Sequence, residues 1–329
     1  MDTGAVSIGG ERVSPPGRKG RRLRTFSMLA VFLCMLPGIL HYTCFRLAPS
    51  ITTAVLSFTN ISGLPGSIWE FIGWENYREF FIVQNIRDLK AVLGRTAIFA
   101  SVVTVAQNVF ALFFAVILNK KFLKGRSLYR AVIFLPSMLG VTVVSSVWKL
   151  MFSAPAGPVF LFMMKILGIN NPPTVLGSFQ YAFPAVISIQ VWMHVGYTML
   201  IYLAGLQGIP NEVYESASID GANGWQAFWR ITLPMISSTV IVNTLICMIG
   251  ALQTFELIMT LTSGQFNTST LSMQVFATAF GGRGATAGGG TVAGLRQGYA
   301  ASQSMVLFVV VFITTVISRK IMSGMESDL

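Results

Sequence analysis

Residues 181–234 read YAFPAVISIQVWMHVGYTMLIYLAGLQGIPNEVYESASIDGANGWQAFWRITLP. The first part, 181–204, contains no Asp, Glu, Lys or Arg, and is as long as the roughly 20 apolar residues that a membrane-spanning helix needs. The second part, 205–234, is polar and much longer than a simple turn requires. A spanning run followed by an elaborated polar loop indicates a helical membrane protein.

The composition agrees with this interpretation. Of the 329 residues, 53% are hydrophobic and 11% are charged, and the mean hydropathy is +0.66. Soluble domains carry about 25% charged residues, so a soluble enzyme is excluded. The net charge of +11 would suggest nucleic-acid binding in a polar chain, but here the basic residues lie between apolar runs, as they do at the cytoplasmic ends of transmembrane helices.

We predict an all-α polytopic membrane protein with six transmembrane helices. Two other charge-free stretches, 47–69 and 257–282, are rich in Pro, Gly, Asn, Ser and Thr, which favours loops. The six predicted spans are 27–47, 95–118, 131–152, 181–204, 235–259 and 299–319.

The distribution of Lys and Arg predicts the orientation, because basic residues collect on the cytoplasmic side. Both the N-terminal tail, 1–26, and the loop after the second span are strongly basic, so both are predicted to be cytoplasmic. Six spans return the short C-terminal tail, 322–329, to the same side. The basic residues concerned are Arg12, Arg18, Lys19, Arg21, Arg22, Arg24, Lys120, Lys121, Lys124, Arg126, Arg130, Arg319 and Lys320.

The loop 205–234 is then a cytoplasmic element with its own structure. Pro210 is placed to open a short helix that ends at Ala217 or Ser218. Asp220 and Gly221 predict a break, and Asn223 with Gln226 resembles the capping arrangement of a second helix. On that helix Trp225, Phe228 and Trp229 share one face. We interpret the loop as a docking element.

The same loop carries a family resemblance. Glu215, Ala217, Asp220, Gly221 and Ala222, followed by Phe228, Ile231, Leu233 and Pro234, resemble the EAA loop in the membrane subunits of binding-protein-dependent ABC importers. Ser216 replaces the usual second Ala. Other segments that resemble the sugar-importing branch, and within it the maltose-type first permease subunit, are LPG at 36–38, FIGWENYREFF at 71–81, RSLYRAVIFLPSMLG at 126–140, VWKLMF at 147–152, LAGLQGIP at 203–210 and GYAAS at 298–302.

The resemblance implies a type I ABC importer transmembrane-domain fold over residues 27–321. It implies a permease subunit of the bacterial cell membrane that imports a carbohydrate, expected to be an oligosaccharide. Its partners would be a second homologous permease subunit, two cytoplasmic ATP-binding subunits and an extracytoplasmic solute-binding protein. In such a complex the loop 205–234 is the coupling helix that contacts an ATPase subunit. The implied coupling residues are Glu215, Ser216, Ala217, Asp220, Gly221 and Ala222.

The chemistry of ATP hydrolysis is missing from the chain. No GxxxxGK[ST] loop is present, and the dipeptide Gly-Lys does not occur. We therefore expect no enzymatic activity and no cofactor in this chain, with ATP and Mg bound by the partner ATPase subunits. Two histidines and three cysteines without ligand spacing make a metal site improbable.

Polar residues inside spans are candidates for the substrate path, because they are costly in a bilayer. Amides and carboxylates can bind sugar hydroxyls, and aromatic rings can stack on a pyranose ring. Alternatively, the same residues only hold the helices together. The candidates are Gln190, His194 and Tyr197 on the fourth span and Asn243, Gln253, Phe255 and Glu256 on the fifth.

Several alternatives stay open at this stage. A permease of the same fold could carry a non-sugar solute such as glycerol phosphate, which an additional cation in the path would favour. A membrane-embedded enzyme would need a catalytic constellation, and a secondary transporter would usually show more spans or an inverted repeat. The glycine-rich segment 281–294 is either a tolerated insertion or a contact to an external partner. Sequence does not distinguish a heterodimer of permease subunits from a homodimer.

Overall fold

The computed structural model describes residues 18–64, 66, 68–83, 86–120, 124–166, 168–170, 172–281 and 295–327. Most of the predicted N-terminal tail and of the glycine-rich segment therefore lies outside the described residues. Regular structure in the described part is helical, apart from one isolated antiparallel bridge between Thr59 and Phe71. The predicted all-α class is thus confirmed.

The helices follow in chain order. They are α1 (Arg18–Tyr42), α2 (Ala48–Leu56), α3 (Glu75–Arg78), α4 (Ile86–Asn119), α5 (Arg126–Met138), α6 (Val141–Met151), α7 (Pro158–Lys165), α8 (Ala182–Gln207), α9 (Asn211–Ile219), α10 (Gly224–Ala227), α11 (Leu233–Met235), α12 (Ser237–Gln253), α13 (Glu256–Thr262), α14 (Leu271–Phe280) and α15 (Gln297–Ser327). Between them lie π-helical turns at Thr43–Leu47, Glu79–Val83 and Phe228–Thr232, and a 3₁₀ turn at Val175–Gly177.

Four apolar helical stretches of the described chain are long enough to cross a membrane: Ala30–Leu56, Asp88–Asn119, Ala182–Gln207 and Gln297–Ile321. Two further pairs are bent, α5 with α6 by 98° and Gly224–Met235 with α12 by 71°. The count reaches six if each bent pair crosses once. The predicted third span, 131–152, is therefore not one helix. Its break at the extended residues Leu139 and Gly140 follows Pro136, which cannot donate a helical hydrogen bond.

The first apolar helix runs past its predicted end at 47 and continues to Leu56. The π-helical turn at Thr43–Leu47 lies just before Pro49, where a proline would otherwise interrupt the hydrogen-bond ladder. The hydroxyls of Ser50, Thr52 and Thr53 donate to carbonyls one turn earlier, so these polar residues fit a helix. Residues 1–53 and 54–329 form separate compact units, and in the first unit His41 contacts Phe45.

The stretch 257–282, predicted to be a loop, contains the short helices α13 and α14. Their inward residues, among them Ile258, Leu271 and Ala277, are fully buried. Thr270 accepts a hydrogen bond from the main chain of Met273 and so caps α14. The Ser/Thr cluster that suggested a loop therefore supplies a turn and a cap between two packed helices.

Helix α8 lies at the centre of the second unit and packs against α4, α5, α12 and α13. Val186, Ile189 and Met199 on α8 are almost completely buried. At Gly196 a Cβ atom would overlap the backbone at Ile133, so the absence of a side chain lets α5 approach α8 closely.

A buried polar network joins α4, α8 and α12. The amide of Gln107 on α4 donates to Thr198 Oγ1 on α8 at 2.7 Å and to Cys247 Sγ on α12 at 3.3 Å. Asn243 on α12 donates to the Thr198 carbonyl at 3.2 Å, and Tyr202 on α8 donates to Asn108 on α4 at 2.5 Å. These bonds satisfy polar groups that a bilayer would not solvate.

The two ends of the bundle differ. At one end, which we call the cap end, residues 57–83 pack against the starts of α4, α14 and α15, as in the cluster of Phe80, Leu89, Leu271 and Tyr299. At the other, the loop end, Tyr214 of α9 and Ile236, just after α11, pack against the ends of α4 and α8.

At the cap end the start of α15 is fixed by two contacts. The Gly298 N–H donates to the Ile61 carbonyl at 2.8 Å. Arg296 forms a bidentate ion pair with Glu79, with nitrogen–oxygen distances of 2.6 and 2.5 Å. Hydrogen bonding to Glu79 raises the pKa of the Arg296 guanidinium, so the guanidinium stays protonated at any pH at which the protein is studied.

We predict that Gly298→Ala lowers the thermal unfolding midpoint of the chain in detergent. A Cβ at this position would overlap the Thr59 carbonyl, a backbone atom that cannot move aside cheaply, so we expect a loss of roughly 1–3 kcal/mol. Gly94→Ala on α4 is the matched control, because a Cβ there meets open space. Equal midpoints for the two variants would contradict the packing described here.

We also expect Gln107→Leu to destabilise the bundle by about 1–2 kcal/mol, since it leaves Thr198 and Cys247 without their donor. The measurement is again the unfolding midpoint. Gln207→Leu, which removes an exposed amide at the end of α8, serves as the control and should change little. A Gln107 variant as stable as the control would show that the network contributes nothing.

Candidate functional site

The loop end carries the segment with the sequence motif. Helix α9 starts at Asn211 directly after Pro210, which is extended and acts as the N-cap residue. The helix continues to Ile219, slightly beyond its predicted end. Glu215 and Ser216 are exposed, and Ser216 donates to the Glu212 carbonyl at 2.9 Å. Ala217 is the buried residue of α9, and it faces the bundle.

The end of α9 is a Schellman motif. The Ala222 N–H donates to the Ala217 carbonyl at 2.9 Å, and the Gly221 N–H donates to the Ser218 carbonyl at 3.1 Å. Gly221 has φ of +78°, which residues with a side chain adopt only at a cost. A Cβ at Gly221 would nevertheless meet nothing within 4 Å. The glycine is therefore required by the backbone conformation and not by lack of space.

A capping box starts the next helix, α10. The Asn223 side chain accepts from the Gln226 N–H, and the Gln226 side chain accepts from the Asn223 N–H, both at 2.9 Å. This is the arrangement expected from the spacing of the two residues. The rings of Trp225 and Trp229 lie 5.7 Å apart, with Phe228 beside them. The aromatic group is thus a preformed cluster.

The loop is anchored to the spans on its inner side. Tyr214 on α9 hydrogen-bonds Thr232 at 3.0 Å, which ties α9 to the turn that leads into α11 and α12. Tyr214 also packs on the cluster formed by Leu118, Leu206 and Ile236. A force on α9 would therefore reach α4, α8 and α12 through direct contacts.

The outer side of the loop is exposed and apolar. The exposed fractions are 87% for Ile219, 71% for Trp225 and 50% for Trp229. Soluble surfaces seldom expose several large apolar side chains together, and such patches mark interaction sites. We call Glu215, Ile219, Trp225 and Trp229 the loop face.

The α8 candidates for the substrate path differ in exposure. Gln190 is buried and donates to Thr254 Oγ1 at 3.4 Å, so it contributes to helix packing. His194 is half-buried, and its Nδ1 lies 3.0 Å from the Gln190 carbonyl. Tyr197 is 50% exposed. These three residues share one helix face, which is buried at Gln190, half-buried at His194 and exposed at Tyr197.

The candidates after α8 do not share one helix, because the chain is extended at Thr254 and Phe255 lies between α12 and α13. Asn243 is fully buried, with its amide in the network described above. Phe255 is half-buried and stacks on Phe276 at 4.8 Å. Gln253 and Glu256, on either side of the break, are exposed.

Sequence reasoning missed the polar residues of α4. Gln107 and Asn108 bond to α8 and α12, and Thr198 and Tyr202 are their partners on α8. The sequence did contain a signal for them, because two adjacent amide residues in the middle of an apolar run are unusual.

The chain matches a protein-family model described as the binding-protein-dependent transport system inner membrane component, over residues 107–325. It is 32% identical over 247 residues to the trehalose/maltose transport system permease protein MalF of Thermococcus litoralis, covering 75% of this chain and 81% of that protein. It is 30% identical over 295 residues to the multiple sugar-binding transport system permease protein MsmF of Streptococcus mutans, covering 89% and 94% respectively.

Among solved structures, a chain of the bacterial alginate ABC transporter in complex with an alginate pentasaccharide-bound periplasmic protein superposes with a TM-score of 0.74 at 22% identity. The superposition covers 92% of this chain and 96% of that chain. This likeness concerns the fold, and it confirms the predicted importer transmembrane-domain architecture. The family match, which includes the loop 205–234, and the relatives lead to one conclusion: the chain belongs to the family of inner membrane components of binding-protein-dependent transport systems.

Proposed function

We propose that this chain is a permease subunit of an ATP-driven importer that moves a carbohydrate, of oligosaccharide size, into the cytoplasm by alternating access. The observation that carries the proposal is the loop face, which exposes apolar side chains outward and is anchored inward to three spans. Support for a carbohydrate comes from the relatives, whose names describe transport of trehalose, maltose and multiple sugars. No contact of the described residues favours glycerol phosphate as the solute.

The orientation follows the positive-inside rule. The loop end would lie in the cytoplasm, next to the basic residues Lys120, Lys124 and Arg126, and both termini would be on the same side. The cap end would then face outward. A solute-binding protein is the external partner that the family description names.

Two further kinds of partner complete the proposal: two ATPase subunits and a second, homologous permease subunit. The chain has no phosphate-binding loop, so the energy of ATP, with its Mg, must enter from another subunit. The loop face offers the apolar patch and the carboxylate of Glu215 for that contact. The second permease subunit would cover span surfaces that carry polar side chains, such as Glu256, because lipid would not solvate them.

Coupling would work as a rigid-body displacement. A movement of the ATPase would shift α9, and the bond between Tyr214 and Thr232 would carry the shift to α11 and α12. The polar network would make α4 and α8 follow. Access would change when this group of helices moves against the partner subunit.

The exposed candidates are the ones suited to touch sugar. Tyr197 could stack on a pyranose ring, while Gln253 and Glu256 could accept or donate hydrogen bonds to hydroxyls. His194 is half-buried and hydrogen-bonds the Gln190 carbonyl. Gln190, Asn243 and Phe255 would support these residues from behind.

We predict that Gly221→Ala weakens the association with the ATPase subunit. Alanine at φ of +78° costs roughly 1–2 kcal/mol, so the Schellman turn would open and displace the loop face. The measurement is the amount of ATPase subunit that copurifies in mild detergent, together with sugar-stimulated ATP hydrolysis. Gly224→Ala is the matched control, because that glycine is in the same loop, is also open and has no positive φ.

If the ATPase subunit failed to copurify with both variants, or copurified normally with both, the role given to the Schellman turn at Gly221 would be contradicted. If the wild-type protein copurified with no nucleotide-hydrolysing subunit, the proposed function itself would fail.

A second prediction distinguishes residues that contact the sugar from residues that only stabilise the packing of the helices. Tyr197→Ala should reduce uptake of labelled sugar into proteoliposomes by roughly tenfold, which corresponds to about 1.4 kcal/mol of lost sugar contact, with an unchanged unfolding midpoint. Asn243→Leu should instead lower the midpoint, because it removes a buried bond between α8 and α12. If Tyr197→Ala transports normally, the exposed face of α8 is not part of the path.

A further inference from the structure

The segment at the cap end, residues 57–83, has polar side chains on its inside. We call the described part of it the strap. Ser57, Thr59 and Asn76 are at most 3% exposed. Asn76 donates both amide hydrogens, to the Ser57 carbonyl at 2.9 Å and to the Thr59 carbonyl at 2.8 Å. Tyr77 donates to Ser57 Oγ at 2.8 Å. Its interior is therefore a hydrogen-bonded polar core.

The outside of the strap carries several large apolar side chains. Its exposed large side chains are Ile68 (89%), Trp69 (56%), Phe71 (73%), Trp74 (70%), Phe81 (51%) and Ile82 (67%). Trp74 packs edge-on against Phe58 at 5.1 Å and lies beside Tyr77, so the rings are held in place. A loop in water seldom exposes this many large apolar side chains within one short segment.

Backbone groups of the strap pair internally. The Asn60 N–H donates to the Glu70 carbonyl at 3.1 Å, and the Ile72 N–H donates to the Phe58 carbonyl at 2.9 Å. The Glu70 N–H donates to Asn60 Oδ1 at 2.6 Å. Solvated loops do not need such closure, whereas a segment in contact with lipid does.

The strap leads into one span, α4, and is bonded to the start of another, α15. Exposed apolar side chains occur farther along both helices, at Ile98 and Val102 on α4 and, beyond the buried start of α15, at Phe308. The strap also exposes the charged residues Glu70, Glu75 and Arg78. Mixed charges next to Trp and Tyr suit the headgroup layer and exclude the hydrocarbon core.

We infer that the strap is an interfacial anchor that lies in the phospholipid headgroup layer at the cap end, with Ile68, Trp69, Phe71 and Trp74 inserted toward the acyl chains. The ion pair between Glu79 and Arg296 and the bond from Gly298 then transmit this fixed depth to α15. On this assignment the aromatic face of the strap contacts lipid, and the solute-binding protein docks elsewhere on the cap end.

The test measures the depth of single spin labels on the full-length protein, assembled with its partner subunits, in nanodiscs of phosphatidylethanolamine and phosphatidylglycerol. Cys34 and Cys44 are exposed and are replaced by alanine, whereas buried Cys247 is kept. Labels are attached to Phe71→Cys and, separately, to Ile68→Cys, which does not disturb the ring cluster. The reference sites are Gln265→Cys, on an exposed polar turn, and Phe308→Cys, on an exposed apolar face of α15.

The measured quantity is the ratio of collision rates with molecular oxygen and with a water-soluble nickel chelate. We expect ratios at residues 68 and 71 above that at 265 and below that at 308. Ratios equal to that at 265 would place the strap in water and overturn the inference. The inference would also be overturned if the labels at residues 68 and 71 became protected from the nickel chelate only when the solute-binding protein is added. The strap would then bind protein and not lipid.

Discussion

A polar group inside a bilayer has no water to bond with, and this constraint organises the protein. Gln107, Thr198 and Asn243 lie in the middle of apolar helices, and each is paired with a neighbouring helix. Because the partners are on different helices, the bonds also fix how α4, α8 and α12 face one another. Apolar packing alone would constrain these rotations less, since lipid tails compete equally well for apolar surface.

The same constraint explains where the helices break. At Leu139 and Gly140, and again at Thr254, the chain is extended for one or two residues within its apolar stretch. Such breaks are tolerated where the freed groups lie inside protein or line a cavity. Gln253 and Glu256 flank one of these breaks and are exposed in this chain.

The loop end combines rigidity with an open surface. The Schellman turn at Gly221 and the capping box at Asn223 fix the two short helices locally, and Tyr214 fixes them to the spans. On the side away from the bundle, Ile219 and Trp225 are exposed. A stiff element with one unsatisfied apolar face is suited to transmit a displacement between subunits.

The sequence by itself determined the helical class and the capping box, because these depend on local periodicity, charge and turn chemistry. It also carried the family resemblance, in the motif residues of the loop 205–234. It could not show that helix continues through Pro49 to Leu56, that α13 and α14 pack as helices, or that the third span bends by 98°. Those features depend on which groups find partners across the fold. For the same reason, Gln190 and Asn243 are indistinguishable from Tyr197 in the sequence. Only the tertiary structure decided that the first two are buried between helices and that Tyr197 is open, because helix rotation is set by packing and by bonds to other helices.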